Sequence, residues 1–163
     1  AIALGVAPKE LAADADTVMF CLSKGLSAPV GSLLCGPAAL IADARVHRQR
    51  FGGGMRQAGI IAAAGVVALE TMVERLADDH ERARRLADAL AERWPESLDP
   101  GAVRTNIVCA DLHALPDKFV ERLADAGVQC GTIDPRTVRF VTHKDVDDAA
   151  IERTIAALRA IGD

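Results

Sequence analysis

Thr17-Val18-Met19-Phe20-Cys21-Leu22-Ser23-Lys24-Gly25-Leu26 sets an unbroken apolar run against a lysine and a glycine, and this junction decides how the chain folds. Six residues without a charge have the length and apolarity of a strand covered on both faces, as in a parallel α/β sheet. A lysine at the end of such a strand can be stripped of water and held neutral, the state an amine nucleophile requires. Lys24 is therefore a candidate Schiff-base lysine.

Working outward, Gly25 to Gly31, with Pro29, interrupts the pattern, and Ser32 to Cys35 reads as a short second strand ended by Gly36-Pro37. Pro37 suits the first position of a helix running to about Arg50. Gly52-Gly53-Gly54 then precedes the longest expected element, a helix from near Met55 to Trp94-Pro95. Its first half, Ala58 to Leu69, is apolar all round and is expected to be buried. From Met72 the apolar residues fall on one stripe, Met72, Leu76, Ala83, Leu86, Leu90 and Trp94. That change of character predicts a boundary, with residues 1–74 in one lobe and 75–163 in another. Downstream, strands over 104–110, 128–132 and 137–142 and helices over 116–126 and 146–161 alternate as in a small α/β lobe. Upstream, Pro8 to Ala13 can form a helical turn. Ala1 to Val6 resembles the last turn of an apolar helix, and the chain opens on Ala1, so further N-terminal sequence is expected.

The composition fits a globular protein: 163 residues, 50% apolar, with 19 basic and 23 acidic side chains and a net charge of -4. The two signs interleave along the helices, and no basic face suggests nucleic acid or anionic lipid. The run Ala58 to Leu69 is shorter than the roughly 17–25 residues needed to cross a bilayer. A cytoplasmic protein with no membrane or nucleic-acid partner is the expectation. Cys21, Cys35, Cys109 and Cys130 show no CxxC spacing and no histidine at a ligand interval, so they are expected to be reduced core thiols, with no structural metal.

Several strings carry a family resemblance. Phe20-Cys21-Leu22-Ser23-Lys24-Gly25-Leu26, Ala28-Pro29-Val30-Gly31-Ser32, Gly52-Gly53-Gly54-Met55-Arg56-Gln57, Glu74-Arg75-Leu76-Ala77-Asp78-Asp79-His80 and Val138-Arg139-Phe140-Val141-Thr142-His143 resemble, in order, the low-specificity L-threonine aldolases. These are a branch of the β-eliminating lyase superfamily. The likeness runs over nearly all of this chain but only about the C-terminal half of the family's. It implies an α/β fold, the C-terminal part of a fold type I (aspartate aminotransferase-like) pyridoxal phosphate enzyme. Residues 1–74 would be the remnant of the large cofactor-binding domain and 75–163 the small C-terminal domain.

The resemblance also implies roles. Lys24 would carry pyridoxal 5'-phosphate. Arg56 would help hold the cofactor phosphate, from its own or a neighbouring subunit of a homo-oligomer, a dimer or tetramer. Arg139 would grip the carboxylate of a small amino acid substrate, giving retro-aldol cleavage of threonine or allo-threonine to glycine and an aldehyde. The residues read alone leave alternatives. Lys24 could snorkel from a strand end; the three glycines before Arg56 outline an anion site but equally a hinge. Arg139, inside an apolar strand, calls for a carboxylate, and Asp134 or Asp145 could supply it within the chain. The family often has lysine near Gln49; Arg48 and Arg50 are alternative sources of that charge. His47 and His80 read as solvated, His113 as preceding a turn, and His143 as either site-proximal or a strand-end hydrogen-bonding residue. The proton acceptor and the carboxylate that protonates the pyridine nitrogen belong to the family's N-terminal half, so this stretch alone is expected to be inactive. Another pyridoxal phosphate enzyme of the same fold, a β-eliminating lyase or an aminotransferase, and a non-catalytic association module are the competing readings.

Overall fold

The computed structural model describes residues 1–162 and divides into two compact units, Ala1–Arg75 and Leu76–Asp163.

The first unit opens with a 3-10 turn at Ile2–Leu4 and the one-turn helix α1, Pro8–Leu11, begun by its proline. Strands β1, Val18–Cys21, and β2, Ser32–Cys35, follow, then helices α2, Ala38–Arg50, and α3, Gly59–Thr71. β1 and β2 form an antiparallel pair, Val18 opposite Cys35 and Cys21 opposite Ser32. The expected parallel sheet covered on both faces is thus not what this unit builds. Apolarity reports how much covering a strand wants, not the direction of its neighbour, and the connection from Leu22 to Gly31 closes a hairpin. Three backbone bonds set that connection: Leu22 N–H to Gly31 O at 2.9 Å, Ala28 N–H to Leu22 O at 3.0 Å and Ser27 N–H to Lys24 O at 2.8 Å. Leu22, Ala28 and Ala68 make a small core, flanked by Phe20, Leu26 and Met72. Gly65 of α3 lets the helix and Leu22 pack closely there: a Cβ would come within 2.8 Å of Leu22 Cδ1, and the Leu22 side chain would have to shift.

The long helix expected from Met55 to Trp94 is two helices, broken at 72–75 between α3 and α4, Leu76–Arg93. Nor is α3 buried: Gly65 and Ala68 are, but Ile60 is 81% exposed, and Val66, Val67 and Leu69 also face outward. A helix apolar all round needs cover all round, and Ala1–Arg75 contributes cover to one strip alone.

The second unit has the better core. β3, Ile107–Asp111, β5, Thr137–Val141, and β4, Gly131–Asp134, form an antiparallel sheet in the order β3-β5-β4. Helix α4, α5, Phe119–Asp125, and α6, Asp148–Ala160, supply the remaining layer. Strand alternation divides the sheet. Val108, Ala110, Val138 and Phe140 are buried with Ala83, Leu86, Leu90, Trp94, Phe119, Leu123 and Leu158, while Ile107, Cys109, Arg139 and Val141 are exposed. The Trp94 and Phe140 rings stand edge-on to Phe119, centroids 5.4 and 6.5 Å away. Each such large apolar side chain contributes roughly 1.5–3 kcal/mol when fully buried. The ends are tied down. Asp147 Oδ1 accepts from Ala150 N–H at 2.7 Å to cap α6. The buried Thr142 hydroxyl donates to Asp79 O at 2.6 Å, joining the end of β5 to the first turn of α4. Arg82 and Arg85 of α4 reach Asp148, and Arg85 also pairs with Glu152, clasping α4 to α6.

Candidate active site

Lys24 stands three residues beyond β1, in the turn whose carbonyl accepts from Ser27 N–H, where Ser27 itself adopts φ 61°. Its side chain is exposed, and among the described residues its amine has no ion-pair or hydrogen-bond partner. The expectation of a desolvated lysine is corrected here. The strand end does present the amine, but Ala1–Arg75 provides no wall against water. What the hairpin does provide is direction: Leu22 and Ala28 on either side are buried, so the loop between them is pinned with Lys24 outward.

Arg56 lies in the turn before α3, which starts at Gly59, so it precedes the helix rather than opening it. It too is exposed with no partner among the described residues. The glycine triplet has a different task from the expected anion cradle. Gly52 takes φ 76°, its N–H donates to Gln49 O at 3.2 Å, and Gly53 N–H donates to Arg48 O at 2.8 Å. This is a Schellman cap ending α2. Two of the three amides are therefore already spent, and the side chain of Gln49 lies against Gly54.

In the second unit, Arg139 sits in the central strand, opposite Cys109 of β3 and Gly131 of β4. It projects from the exposed face, unlike the buried guanidinium expected from its apolar neighbours; alternation turns Val138 and Phe140 inward and Arg139 outward. Neither Asp134 nor Asp145 pairs with it. Asp134 accepts from Arg136 N–H at 2.7 Å, and Asp145 lies 3.7 Å from both Lys144 Nζ and His143 Nδ1. Arg139 has no partner among the described residues and is free to take a carboxylate.

The remaining titratable groups are structural. Arg136 holds Asp111 below the usual carboxylate range, helped by His113 N–H, and Arg82 does the same for Asp148. Burial lowers His80 despite the opposing charge of Asp79, so His80 is half-buried rather than solvated. His143 Nδ1 accepts from Asp145 N–H at 3.3 Å, a strand-end role. The four cysteines are free thiols, but Cys35 and Cys109 are exposed, not in a core; burial raises the Cys130 thiol. No group of three or more His, Cys, Asp or Glu among the described residues is placed to hold a metal, and no helix is long and apolar enough to cross a membrane.

The sequence model of the β-eliminating lyase family matches residues 1–114, the stretch that contains Lys24 and Arg56. The chain belongs to the β-eliminating lyase family. Among relatives of this family member, the probable low-specificity L-threonine aldolase 2 of Arabidopsis thaliana is 38% identical over 98% of this chain and 46% of its own length. The low specificity L-threonine aldolase of Escherichia coli K12 is 37% identical over the same shares, 98% and 46%. The chain thus spans about half the length of the curated relatives it matches. A crystal structure of a putative aromatic amino acid β-eliminating lyase/threonine aldolase from Exiguobacterium sp. 255-15 superposes with a TM-score of 0.73, covering 97% of this chain and 48% of that one. At 20% identity that likeness establishes the fold, a mixed α/β part of a fold type I enzyme.

Proposed function

We propose that the complete protein is a pyridoxal phosphate-dependent lyase that cleaves threonine or allo-threonine to glycine and acetaldehyde. Residues 1–74 would form part of the cofactor-binding domain and 75–163 the small C-terminal domain. The observation that carries the proposal is Lys24: an unpaired, exposed amine pinned outward at the carboxyl end of β1, in a family-matched segment. Ligands of open α/β folds lie beyond the carboxyl ends of strands.

The residues present fit the cofactor's chemistry. Lys24 supplies the amine that tethers its aldehyde, and Arg56 supplies a guanidinium free to pair with its phosphate. When bound, pyridoxal phosphate offers a conjugated ring that accepts the electron pair released at the substrate's Cα. Arg139 takes the substrate carboxylate bidentately, which fixes the amino acid and so selects which bond at Cα breaks. The chain alone, without a group to take the β-hydroxyl proton, is expected not to turn over threonine. A homo-oligomer in the cytoplasm is the accompanying expectation.

Borohydride reduction of the complete, yellow protein followed by intact-mass and peptide analysis should place a pyridoxyl adduct on Lys24, and Lys24→Ala should lose both adduct and colour. An adduct elsewhere, or none, refutes the reading. Pyruvate from serine or a keto acid, in place of glycine from threonine, would favour a β-eliminating lyase or aminotransferase. The outward apolar face of α3 favours a second reading, an association module, which the absence of the adduct would support.

A further inference from the structure

Gly131 opens β4, the edge strand, directly opposite Arg139 of the central strand. Glycine weakens a strand, through backbone entropy and the lack of a side chain to pack. Several reasons commonly demand it, and two of them, positive φ and a close Cβ contact, are absent here. Gly31, Gly52 and Gly127 have positive φ, but Gly131 does not. A Cβ built on Gly65 collides with Leu22, whereas one built on Gly131 meets no heavy atom within 4 Å. Nothing in the fold of Leu76–Asp163 therefore excludes a side chain at 131. The register shift of β4 lies further on, between Thr132 and Asp134, and Gly131 keeps its place opposite Arg139; a remaining reason for glycine in a strand is the close passage of a ligand.

Arg139 gives that reason content. Side chains directly opposite on neighbouring strands have Cβ atoms about 4.5–5.5 Å apart, close enough to lean on each other. On the β3 side the opposite residue is Cys109, exposed and small; on the β4 side there is no side chain at all. The next pair along the same face, Ile107 with Val141, is large. The guanidinium thus emerges between a thiol and a gap, and its planar fork can be reached from the side, as two parallel N–H···O bonds to one carboxylate require.

We propose that Gly131 is a clearance residue, and that its missing side chain sets the lateral access of an α-carboxylate to Arg139. This rests on the reading of Arg139 as the substrate's carboxylate anchor. A branched side chain at 131 would suit the edge strand, since β-branched residues are favoured in strands. It would nevertheless cover the fork. The role is one of specificity and binding, with Gly131 itself touching nothing that reacts.

The test uses the complete holoenzyme with Gly131→Val, Gly131→Ala, Arg139→Ala and, as a control, Thr132→Val. Thr132 is opposite Val138 and so belongs to the other face of the strand. Gly131→Val should raise KM for threonine by about tenfold or more, the effect of losing a hydrogen bond to a charged group, with kcat changed by less than about threefold and the thermal midpoint equal or higher. Gly131→Ala should give a smaller rise in KM, and Thr132→Val none. A wild-type KM in Gly131→Val, when Arg139→Ala raises KM, overturns the clearance role alone. A wild-type KM in Arg139→Ala overturns the carboxylate-anchor reading and the inference with it. A Gly131→Val protein that fails to fold, or melts earlier with Gly131→Ala doing the same, shows that the fold does require glycine and also overturns the inference.

Discussion

Phe119→Ala removes the ring around which the second unit packs. Phe119 is 2% exposed, opens α5, and meets Trp94 and Phe140 edge-on at 5.4 and 6.5 Å. Burying Phe and then truncating it to alanine costs about 3–5 kcal/mol, which includes about 0.5–1.5 kcal/mol for each aromatic pair. Alanine is the better helix former by about 0.5 kcal/mol, a small offset in a helix this short. A net loss of about 2.5–4.5 kcal/mol is a large share of the roughly 5–15 kcal/mol that keeps a domain folded. The chain has a single tryptophan, and Trp94 is buried in the same cluster, so its fluorescence reports this unit specifically. With a urea slope of roughly 1–2 kcal/mol/M, the midpoint should fall by roughly 1.2–4.5 M. Phe119→Leu should cost less, about 1–3 kcal/mol, because volume is largely kept while both aromatic pairs are lost. A Phe119→Ala midpoint within about 0.5 M of the parent at unchanged slope would refute the assignment of this cluster as the unit's centre.

Two further outcomes test the description of each unit. Asp111 and Asp148 have folded-state pKa values below the ordinary carboxylate value, so their contribution is present above that value and is lost as pH falls through the lowered one. Besides the loss His80 brings as pH falls through the imidazole range, the Trp94-reported urea midpoint should fall further below about pH 4, and Asp148→Asn should make that acidic fall shallower; an unchanged acidic profile in that variant would discount the Arg82 pairing. In the first unit, Gly52→Ala forces a side chain into φ 76° at the α2 cap. At about 1 kcal/mol, this should speed amide exchange at Gly53 by about fivefold, and unchanged exchange would argue against the cap.

The second unit was legible in the sequence because its signals are local and redundant. The stripe of Ala83, Leu86, Leu90 and Trp94 names the buried face of α4, whereas Arg139, expected among apolar neighbours, is turned outward by the alternation that buries Val138 and Phe140. The first unit was legible in its element types but not in their surroundings. Thr17 to Leu22 is a strand, yet its partner is antiparallel; Ala58 to Leu69 is helical, yet most of it faces outward. Hydrophobicity states what a segment would gain from cover and is silent on where the cover comes from. The glycine triplet failed for another reason. Three glycines before an arginine outline an anion cradle by composition, but an N–H can be spent once, and Gly52 and Gly53 spend theirs on α2. Only the hydrogen-bond partners distinguish the two uses.

The candidate site follows the same division. Position is encoded locally: the hairpin bonds from Leu22 to Gly31 turn Lys24 outward, and strand alternation does the same for Arg139. Environment is not. Excluding water from an amine requires walls of apolar or fixed polar groups, and within Ala1–Arg75 Leu22 and Ala28 are buried while Lys24 between them is exposed. The apolar residues left outward on the same unit, Ile60, Val66 and Val67 of α3 and Met19 of β1, show that its surface is built to be covered.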